Sequence, residues 1–554
     1  MKKRPHLALD SYKLGHIDQY PEGTEYVYSN LTARSRTHAH FMPSTFDGKV
    51  VFTGLQGFNK EFLIEEWNEG FFNRPKAEVV AEYKRRCDHF LGPDAVRTDH
   101  IAALHDIGYL PIIIKALPEG SRVDIKVPFL TIMNTLPQFY WLTNYLETVL
   151  SCELWKPITV GTIAFEYRRL LNKYAELTGS DPMFVNWQAH DFSMRGMSGR
   201  FDSAKCGAAH LMAAGSGTDA LLAIDYLEDY YGANVEKELV AGSVPATEHS
   251  VMCMGGKEDE VETFRRLITK TYPKGIVSIV SDTWDFWNVI TRYAQILKAE
   301  ILARGEDAFG NAKVVFRPDS GDPVKILAGY RFVELPENYE GNWRQADYNG
   351  LGCEDSIDVI KIGGKYFEFE GFEQDYGGNR EGVYLGNELP EHVVKGAVEC
   401  LWDIYGGTVT EKGYKTLDKH VGLIYGDSIT LERCEQILQR LMRKGFSAGN
   451  VVFGVGSFTY QYITRDTFGM AVKATWGQVN GEGRDIFKDP ATDNGTKKSA
   501  KGLLRVEKEG DKFVLYDQQN RWGESKGELR TVFCNGKILN EQTFEDIKNR
   551  LHGA

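Results

Sequence analysis

The residues best suited to chemistry gather first around Gly242-Ser-Val-Pro-Ala-Thr-Glu-His-Ser250. Pro245 and the small residues before it force an irregular backbone, so Glu248 and His249 are expected to project from a loop or strand end and not from a packed helix face. Such a place suits chemistry. A loop histidine on its own is more often plain surface or core. His249 gains weight from its companions elsewhere in the chain.

Arg317-Pro-Asp-Ser-Gly-Asp322 offers a guanidinium, two carboxylates and a tight turn. Arginine can bond a carbonyl or phosphate through two parallel donors, and Asp319 can accept from sugar hydroxyls or sit near Mg²⁺. Gly426-Asp427-Ser428 and Gly454-Val-Gly-Ser457 put glycines, Gly426 and Gly456 among them, where backbone amides can approach a phosphate, although each motif alone is weak. His190-Asp-Phe-Ser-Met-Arg-Gly196 supplies Phe192 for stacking on a flat ring and Arg195 for an anion. Ser216-Gly-Thr-Asp219 opens a helical pattern, where Asp219 would ordinarily be a cap or first-turn carboxylate. Arg465, Lys473 and Lys488 are further cations. Asp10-Ser-Tyr-Lys13 reads as a polar turn or helix cap bearing one aromatic, Tyr12. A pocket with these members suits an anionic sugar phosphate and an aromatic base.

The elements that must carry these groups follow a rhythm. From about residue 157, short β-branched runs end in polar clusters and lead into helical patterns: residues 184–187, 276–280, 313–316, 421–425 and 451–453, with helices expected over 219–231, 259–271, 283–304 and 430–444. Strand, loop, helix in repetition implies parallel strands. In an α/β barrel the loops after the strands share one face, so clusters scattered along the chain can meet in one pocket. The expected organisation is an N-terminal α+β domain over 1–156 and an irregular (β/α) barrel over 157–469. A Gly-, Glu- and Tyr-rich insertion interrupts the barrel at about 326–392, and a C-terminal segment, 470–554, folds back onto the N-terminal domain.

Of the 554 residues, 42% are hydrophobic and 26% charged, enough apolar material for two to four domains. A net charge of -12 argues against general nucleic-acid binding, so any phosphate must be held by local cations. The eight cysteines include no C-x-x-C pair, which points away from zinc and a disulfide framework and towards a reducing cytoplasm. No apolar run reaches the roughly 18 residues of a membrane span, and no signal-peptide core follows Met1-Lys-Lys-Arg4.

Asp10-Ser-Tyr-Lys13, Tyr140-Trp-Leu-Thr-Asn144, His190-Asp-Phe192 with Arg195-Gly196, Gly217-Thr-Asp219, Ser243-Val-Pro245 with Glu248-His-Ser250, Val280-Ser-Asp282, Arg317-Pro-Asp-Ser-Gly321, Gly426-Asp427 and Phe487-Lys-Asp-Pro490 resemble, in order, the motifs of the nicotinamide phosphoribosyltransferase family. That resemblance implies a dimeric type II phosphoribosyltransferase with active sites shared between subunits. The implied reaction joins nicotinamide to 5-phosphoribosyl 1-pyrophosphate with Mg²⁺, giving nicotinamide mononucleotide and pyrophosphate for NAD salvage. Hydrolysis of ATP through a phosphohistidine at His249 is coupled to it, with a neighbouring carboxylate, Asp282 or Glu248, implied to orient the ring. Residue by residue, Phe192 and Tyr12 of the partner subunit would sandwich the pyridine, and Asp219 and Arg317 would hold the carboxamide. Arg195, Asp319, Gly426, Asp427 and Gly456 would hold ribose and phosphates, with Ser243, Arg465, Lys473 and Lys488 as further substrate contacts. His249, Glu248, Asp282 and Asp319 are the implied catalytic set. The chain departs from the family in the turn Gly454-Val-Gly-Ser-Phe458, which lacks further glycines, and in the insertion.

Nicotinate phosphoribosyltransferase is the nearest rival, and Asp219 speaks against an acidic substrate. A catalytically silent signalling or scaffold protein on this fold is opposed by the intact His249, Asp282, Arg317 and Asp319. A barrel aldolase or isomerase would need a strand-end lysine that the clusters do not offer. Base choice is therefore testable at Asp219. Its carboxylate can accept from the amide NH₂ of nicotinamide, whereas nicotinate brings a second negative charge beside it. Sites of this kind discriminate by up to roughly 10⁴-fold, and a pairing of nicotinate with Arg317 would reduce that figure. For Asp219→Ser, kcat/KM should fall for nicotinamide and rise relative to it for nicotinate. An unchanged ratio would return Asp219 to the role of a helix-start residue.

Overall fold

The computed structural model describes residues 2–335, 337, 357–374, 380–426, 428–487 and 500–553. It divides into two compact units. The first comprises Met1–Arg168, Ser193–Gly242 and Ser457–Ala554, and the second Arg169–Phe192 and Ser243–Gly456.

The first unit is built on a seven-stranded sheet. Its order is Glu482–Asp485, Ala471–Val479, Thr24–Thr32, Pro128–Asn134, Ile112–Ala116, Arg530–Cys534 and Lys537–Ile538, antiparallel throughout. Three strands from the N-terminal part of the chain lie between two pairs from its C-terminal part, so neither part could complete this sheet alone. Tyr28, Trp476, Leu503 and Leu504 form one buried cluster across it. A second core joins the helices Arg200–Ala213 and Leu221–Tyr231 to Phe544 and Ile547 of the helix Phe544–His552. That last helix starts with a reciprocal capping box between Thr543 and Asp546.

The second unit holds a five-stranded parallel sheet, in the order Ala189–Asp191, Val451–Val455, Val421–Tyr425, Val314–Arg317 and Val277–Val280. These strands are β-branched and mostly buried, as strands covered on both faces must be. A single parallel bridge from Ala246 to Ser278 extends the sheet beyond Val277–Val280. Helices follow the strands, among them Leu431–Arg443, capped by the Thr430 hydroxyl.

Several sequence expectations shift. The helix Glu147–Thr178 runs straight through Pro157, so the expected domain boundary at 156/157 falls inside a helix. Residues 193–242 and 457–469, expected in the barrel, group with the first unit. Residues 184–187 are helical, and the strand begins only at Ala189. The insertion is a four-stranded sheet whose strands Lys365–Gln374 and Arg380–Leu389 form a long hairpin. Its small core joins Leu335 and Ile360 to Ile357, Phe369 and Val383. The chain enters and leaves it past Gly329 and Gly396, where Tyr330 N–H bonds the Val394 carbonyl at 2.9 Å. Asp375-Tyr-Gly-Gly-Asn379 lies outside the described residues. No described helix is long and apolar enough to cross a membrane, and the seven described cysteines are free.

Two buried histidines set a pH dependence. His6 packs against Phe71 and Tyr83 with both ring nitrogens unbonded, and His100 against Tyr83 and Trp141. Burial lowers each to about 4. Both values lie below the unfolded value near 6.5. The unfolded chain therefore binds more protons between those pH values, and stability present above about pH 6.5 is lost as the pH falls towards 4. Each ring contributes on the order of 3 kcal/mol to that loss. Thermal midpoints should fall steeply from pH 7 to 4.5, and less steeply in His6→Leu. Equal slopes in wild type, His6→Leu and His100→Leu would refute the assignment.

Candidate active site

Because the five strands of the second unit are parallel and adjacent, their C-terminal ends share one edge, and each ends in a polar cluster. The bridge segment brings a further one. Thr247 N–H bonds the Ser278 carbonyl at 3.0 Å, Ser278 N–H bonds the Pro245 carbonyl at 2.9 Å, and Val280 N–H bonds the Thr247 hydroxyl at 2.9 Å. Residues 245–247 are thus annexed to the sheet, and the chain delivers Glu248 and His249 beside Ser281-Asp-Thr283. His249 is the first residue of a six-residue helix, His249–Met254, with Glu248 at its cap position. The expectation that it projects from a loop is corrected to that extent, since strand pairing ends at Thr247 and leaves the next residues to coil.

The imidazole is about half exposed, with side-chain accessibility of 51%, while the Asp282 side chain retains only 5%. Nδ1 of His249 lies 3.1 Å from the Thr283 hydroxyl, and Nε2 lies 3.9 Å from Asp282 Oδ1. Asp282 Oδ2 accepts from Asp319 N–H at 2.9 Å and from the Ser320 hydroxyl at 2.6 Å. Asp282 Oδ1 is buried with no hydrogen-bond partner. A carboxylate only accepts, so Nε2–H is the group it can take, which leaves the Nδ1 lone pair facing the Thr283 hydroxyl. Glu248, the other candidate for orienting the ring, is bonded instead to the Ser250 hydroxyl. Of the two carboxylates considered from sequence, Asp282 is the one the geometry puts beside His249.

Arg317 is anchored from two sides. Its N–H reaches the Ser281 hydroxyl at 3.3 Å and Nη2 donates to the Thr247 carbonyl at 2.6 Å, while Nε lies 3.7 Å from Asp319 Oδ1. At the far side of the sheet, Phe192 N–H bonds the Val455 carbonyl at 3.0 Å, and the Phe192 ring lies 4.7 Å from that of His190. His190 Nε2 is 3.5 Å from the Ser243 hydroxyl. A Cβ on Gly454 would lie 2.5 Å from Phe192, and one on Gly426 would lie 2.4 Å from Asp319, so both side chains depend on glycine beside them. Gly456 has open space where a side chain would stand.

The remaining candidates belong to the first unit. Arg195 is exposed in a 3₁₀ turn, Met194–Gly196. Asp219 is exposed and precedes the helix Leu221–Tyr231, whose cap position is Ala220, so it is neither cap nor first-turn carboxylate. Tyr12 is 61% exposed in the 3₁₀ helix Ser11–Gly15, whose cap residue Asp10 makes no side-chain cap bond and accepts instead from the Thr148 hydroxyl. Lys473 lies on the strand Ala471–Val479, and Arg465 is paired with Asp466 at 3.0 Å. Desolvation, with Arg34, Lys13 and Arg465 nearby, lowers the Lys473 ammonium below the usual lysine value against an opposing effect of Glu147. Mutually unfavourable cations of this kind are relieved by an anion. Asp427 and Lys488 lie outside the described residues.

Sequence reasoning missed Thr283, Ser320 and Arg34. The first two adjoin Asp282 and Asp319, and adjacency was the signal. Arg34 follows an N-terminal strand and has no motif around it. Among the described residues, no group of three or more His, Cys, Asp or Glu is arranged to hold a metal ion.

Residues 187–537 match the family described as "Nicotinate phosphoribosyltransferase (NAPRTase) family", and residues 6–84 match "Nicotinamide phosphoribosyltransferase, N-terminal domain". A protein of Acinetobacter baylyi named nicotinamide phosphoribosyltransferase is 55% identical over 547 residues, covering 99% of this chain and 97% of its own. Another of that name, from Xanthomonas campestris pv. campestris, is 31% identical, with 99% and 98% covered. Among solved structures, nicotinate-nucleotide pyrophosphorylase from Pyrococcus furiosus aligns over 99% of this chain and 95% of its own, with a TM-score of 0.51 and 13% identity, a likeness of fold alone.

Proposed function

This chain belongs to the nicotinate phosphoribosyltransferase (NAPRTase) family, and on that premise we propose that it joins nicotinamide to 5-phosphoribosyl 1-pyrophosphate, giving nicotinamide mononucleotide and pyrophosphate in NAD salvage. The observation that carries the reading is the full-length likeness to nicotinamide phosphoribosyltransferases. The strand-end arrangement of Arg317, Asp319, Asp282 and His249 supports it, because those groups suit phosphate, ribose and phosphoryl transfer. The parallel strands of the second unit are read as part of an irregular type II barrel, the phosphoribosyltransferase domain, with an insertion at about 326–392. The enzyme is read as cytoplasmic.

Phe192 and Tyr12 of the partner subunit stack on the two faces of the pyridine, while Asp219 and Arg317 bind its carboxamide. Arg195, Asp319, Gly426, Asp427 and Gly456 hold ribose and phosphates, with Ser243, Arg465, Lys473 and Lys488 as further contacts. Negative charge gathers on the departing pyrophosphate as the C1′–O bond breaks, and the fixed cations stabilise it there. Mg²⁺ would sit near Asp319 and would neutralise phosphate charge.

ATP is coupled through His249. With the Asp282 carboxylate beside Nε2 favouring a proton there, the Nδ1 lone pair attacks the γ-phosphorus, the Nδ1–P bond forms as the P–O bond to ADP breaks, and water later takes the phosphoryl group. Glu248 and Asp319 complete the catalytic set.

Wild type should release pyrophosphate with nicotinamide far faster than with nicotinate, and faster with ATP than without it. His249→Ala should lose ATP hydrolysis and the stimulation by ATP while retaining measurable ATP-independent synthesis. Normal ATP hydrolysis in that variant would remove His249 from the scheme. The shared site is tested by mixing Tyr12→Ala with Asp319→Ala. Subunit exchange should restore part of the activity, since one site of each mixed dimer is then intact, and exchange without recovery would refute sharing.

A further inference from the structure

The loop 193–199 carries Arg195 and has little packing of its own: Met194, Arg195, Gly196, Ser198 and Gly199 are all exposed. Its placement comes from outside. Gln461 Nε2 donates to the Gly196 carbonyl at 2.9 Å and to the Ser198 hydroxyl at 3.1 Å. Asp202 Oδ2 accepts from Ser198 N–H at 2.9 Å. Behind both stands Lys156, a residue 7% exposed, whose ammonium donates to Asp202 Oδ2 at 2.5 Å and to Gln461 Oε1 at 2.9 Å. The Cys206 thiol, 3.4 Å away, donates to the other Asp202 oxygen.

These bonds join three helices to one loop. Lys156 comes from Glu147–Thr178, Asp202 from Arg200–Ala213 and Gln461 from Ser457–Gln461. A Cβ on Gly196 would lie 2.0 Å from the Ser457 hydroxyl, so the loop backbone lies directly on the start of that last helix. An apolar residue at position 156 would fill the same space without desolvating a charge, which makes a buried ion pair here a poor device for stability alone. What the cluster does accomplish is to clamp the carbonyl of residue 196 and both polar groups of Ser198, immediately beyond Arg195.

We propose that Lys156, Asp202 and Gln461 are positioning residues that preorganise the loop 193–199, so that Arg195 meets the phosphoribosyl pyrophosphate without paying to order its backbone. The inference rests on the reading of Arg195 as a contact to that substrate. None of the three touches substrate; they act through the loop.

The test is a double-mutant cycle. Gln461→Leu removes every bond between Gln461 and the loop, including the one the Ser198 hydroxyl donates to Gln461 Oε1 at 3.5 Å, and leaves no buried charge unpaired, since Lys156 keeps Asp202. It should raise KM for 5-phosphoribosyl 1-pyrophosphate about tenfold, the order expected when a previously fixed segment must be ordered on binding. Changes in kcat and in KM for nicotinamide should stay within about twofold, and amide exchange in the peptide spanning 193–199 should quicken. Adding Gln461→Leu to Arg195→Ala should then cost nothing beyond Arg195→Ala alone, because the residue being positioned is gone. Lys156→Arg should stay near wild type, while Lys156→Met should behave as Gln461→Leu does. Additive losses, or an unchanged KM in Gln461→Leu, would overturn the proposal. If Arg195→Ala itself leaves KM unchanged, the reading of Arg195 falls first, a result distinct from additivity.

Discussion

Asp282 is the group on which the strand-end arrangement depends. One of its oxygens accepts from the backbone of Asp319 and the hydroxyl of Ser320, tying the loop after Val277–Val280 to the loop after Val314–Arg317. Its other oxygen, buried and unbonded, faces His249 across 3.9 Å. A buried carboxylate is costly without donors, so the two loops that supply them are held in register with the imidazole. Arg317 closes the third side by bonding the Thr247 carbonyl, which belongs to the segment that delivers His249. Removing any one member leaves a desolvated partner behind.

That local arrangement requires a sheet whose strands all end on the same edge, and the parallel order of the second unit supplies it. Glycine at 426 and 454 then lets Asp319 and Phe192 approach where any side chain would exclude them. Chemistry depends here as much on the absence of side chains as on their presence. The first unit solves a different problem. Its central sheet draws strands from both ends of the chain, so the cations at Arg34, Arg465 and Lys473 come together only when distant segments pair. Asn30 lies opposite Lys473, and the Arg34 guanidinium bonds the Gly469 carbonyl.

The insertion illustrates how a fold tolerates additional chain. Its strands form their own small core, the chain enters and leaves it past two glycines whose backbones nearly touch, and its Asp358 pairs with Arg440 at 3.1 Å. The clusters of the second unit come from outside residues 330–395, so sequence departures there need not disturb the strand-end groups.

Alternation of β-branched runs, polar clusters and helical periods is a local property, and it was legible in the sequence: Val421–Tyr425 appears at its expected bounds, and 276–280, 313–316 and 451–453 shift by one or two residues. Motif order pointed to the family for the same reason, since residue types at loop ends are set by the ligand chemistry they serve. Residues 184–187 misled because a run as short as Phe-Val-Asn-Trp cannot by itself distinguish a strand from a helical turn. Pro157 misled because a long buried helix can absorb one missing N–H. Which carboxylate attends His249, that Thr283 touches its ring, and that Lys156 underpins the loop of Arg195 were decided only by tertiary structure. Each is a contact between residues far apart in sequence or oriented by a neighbour's backbone, and one-dimensional spacing carries no information about such distances.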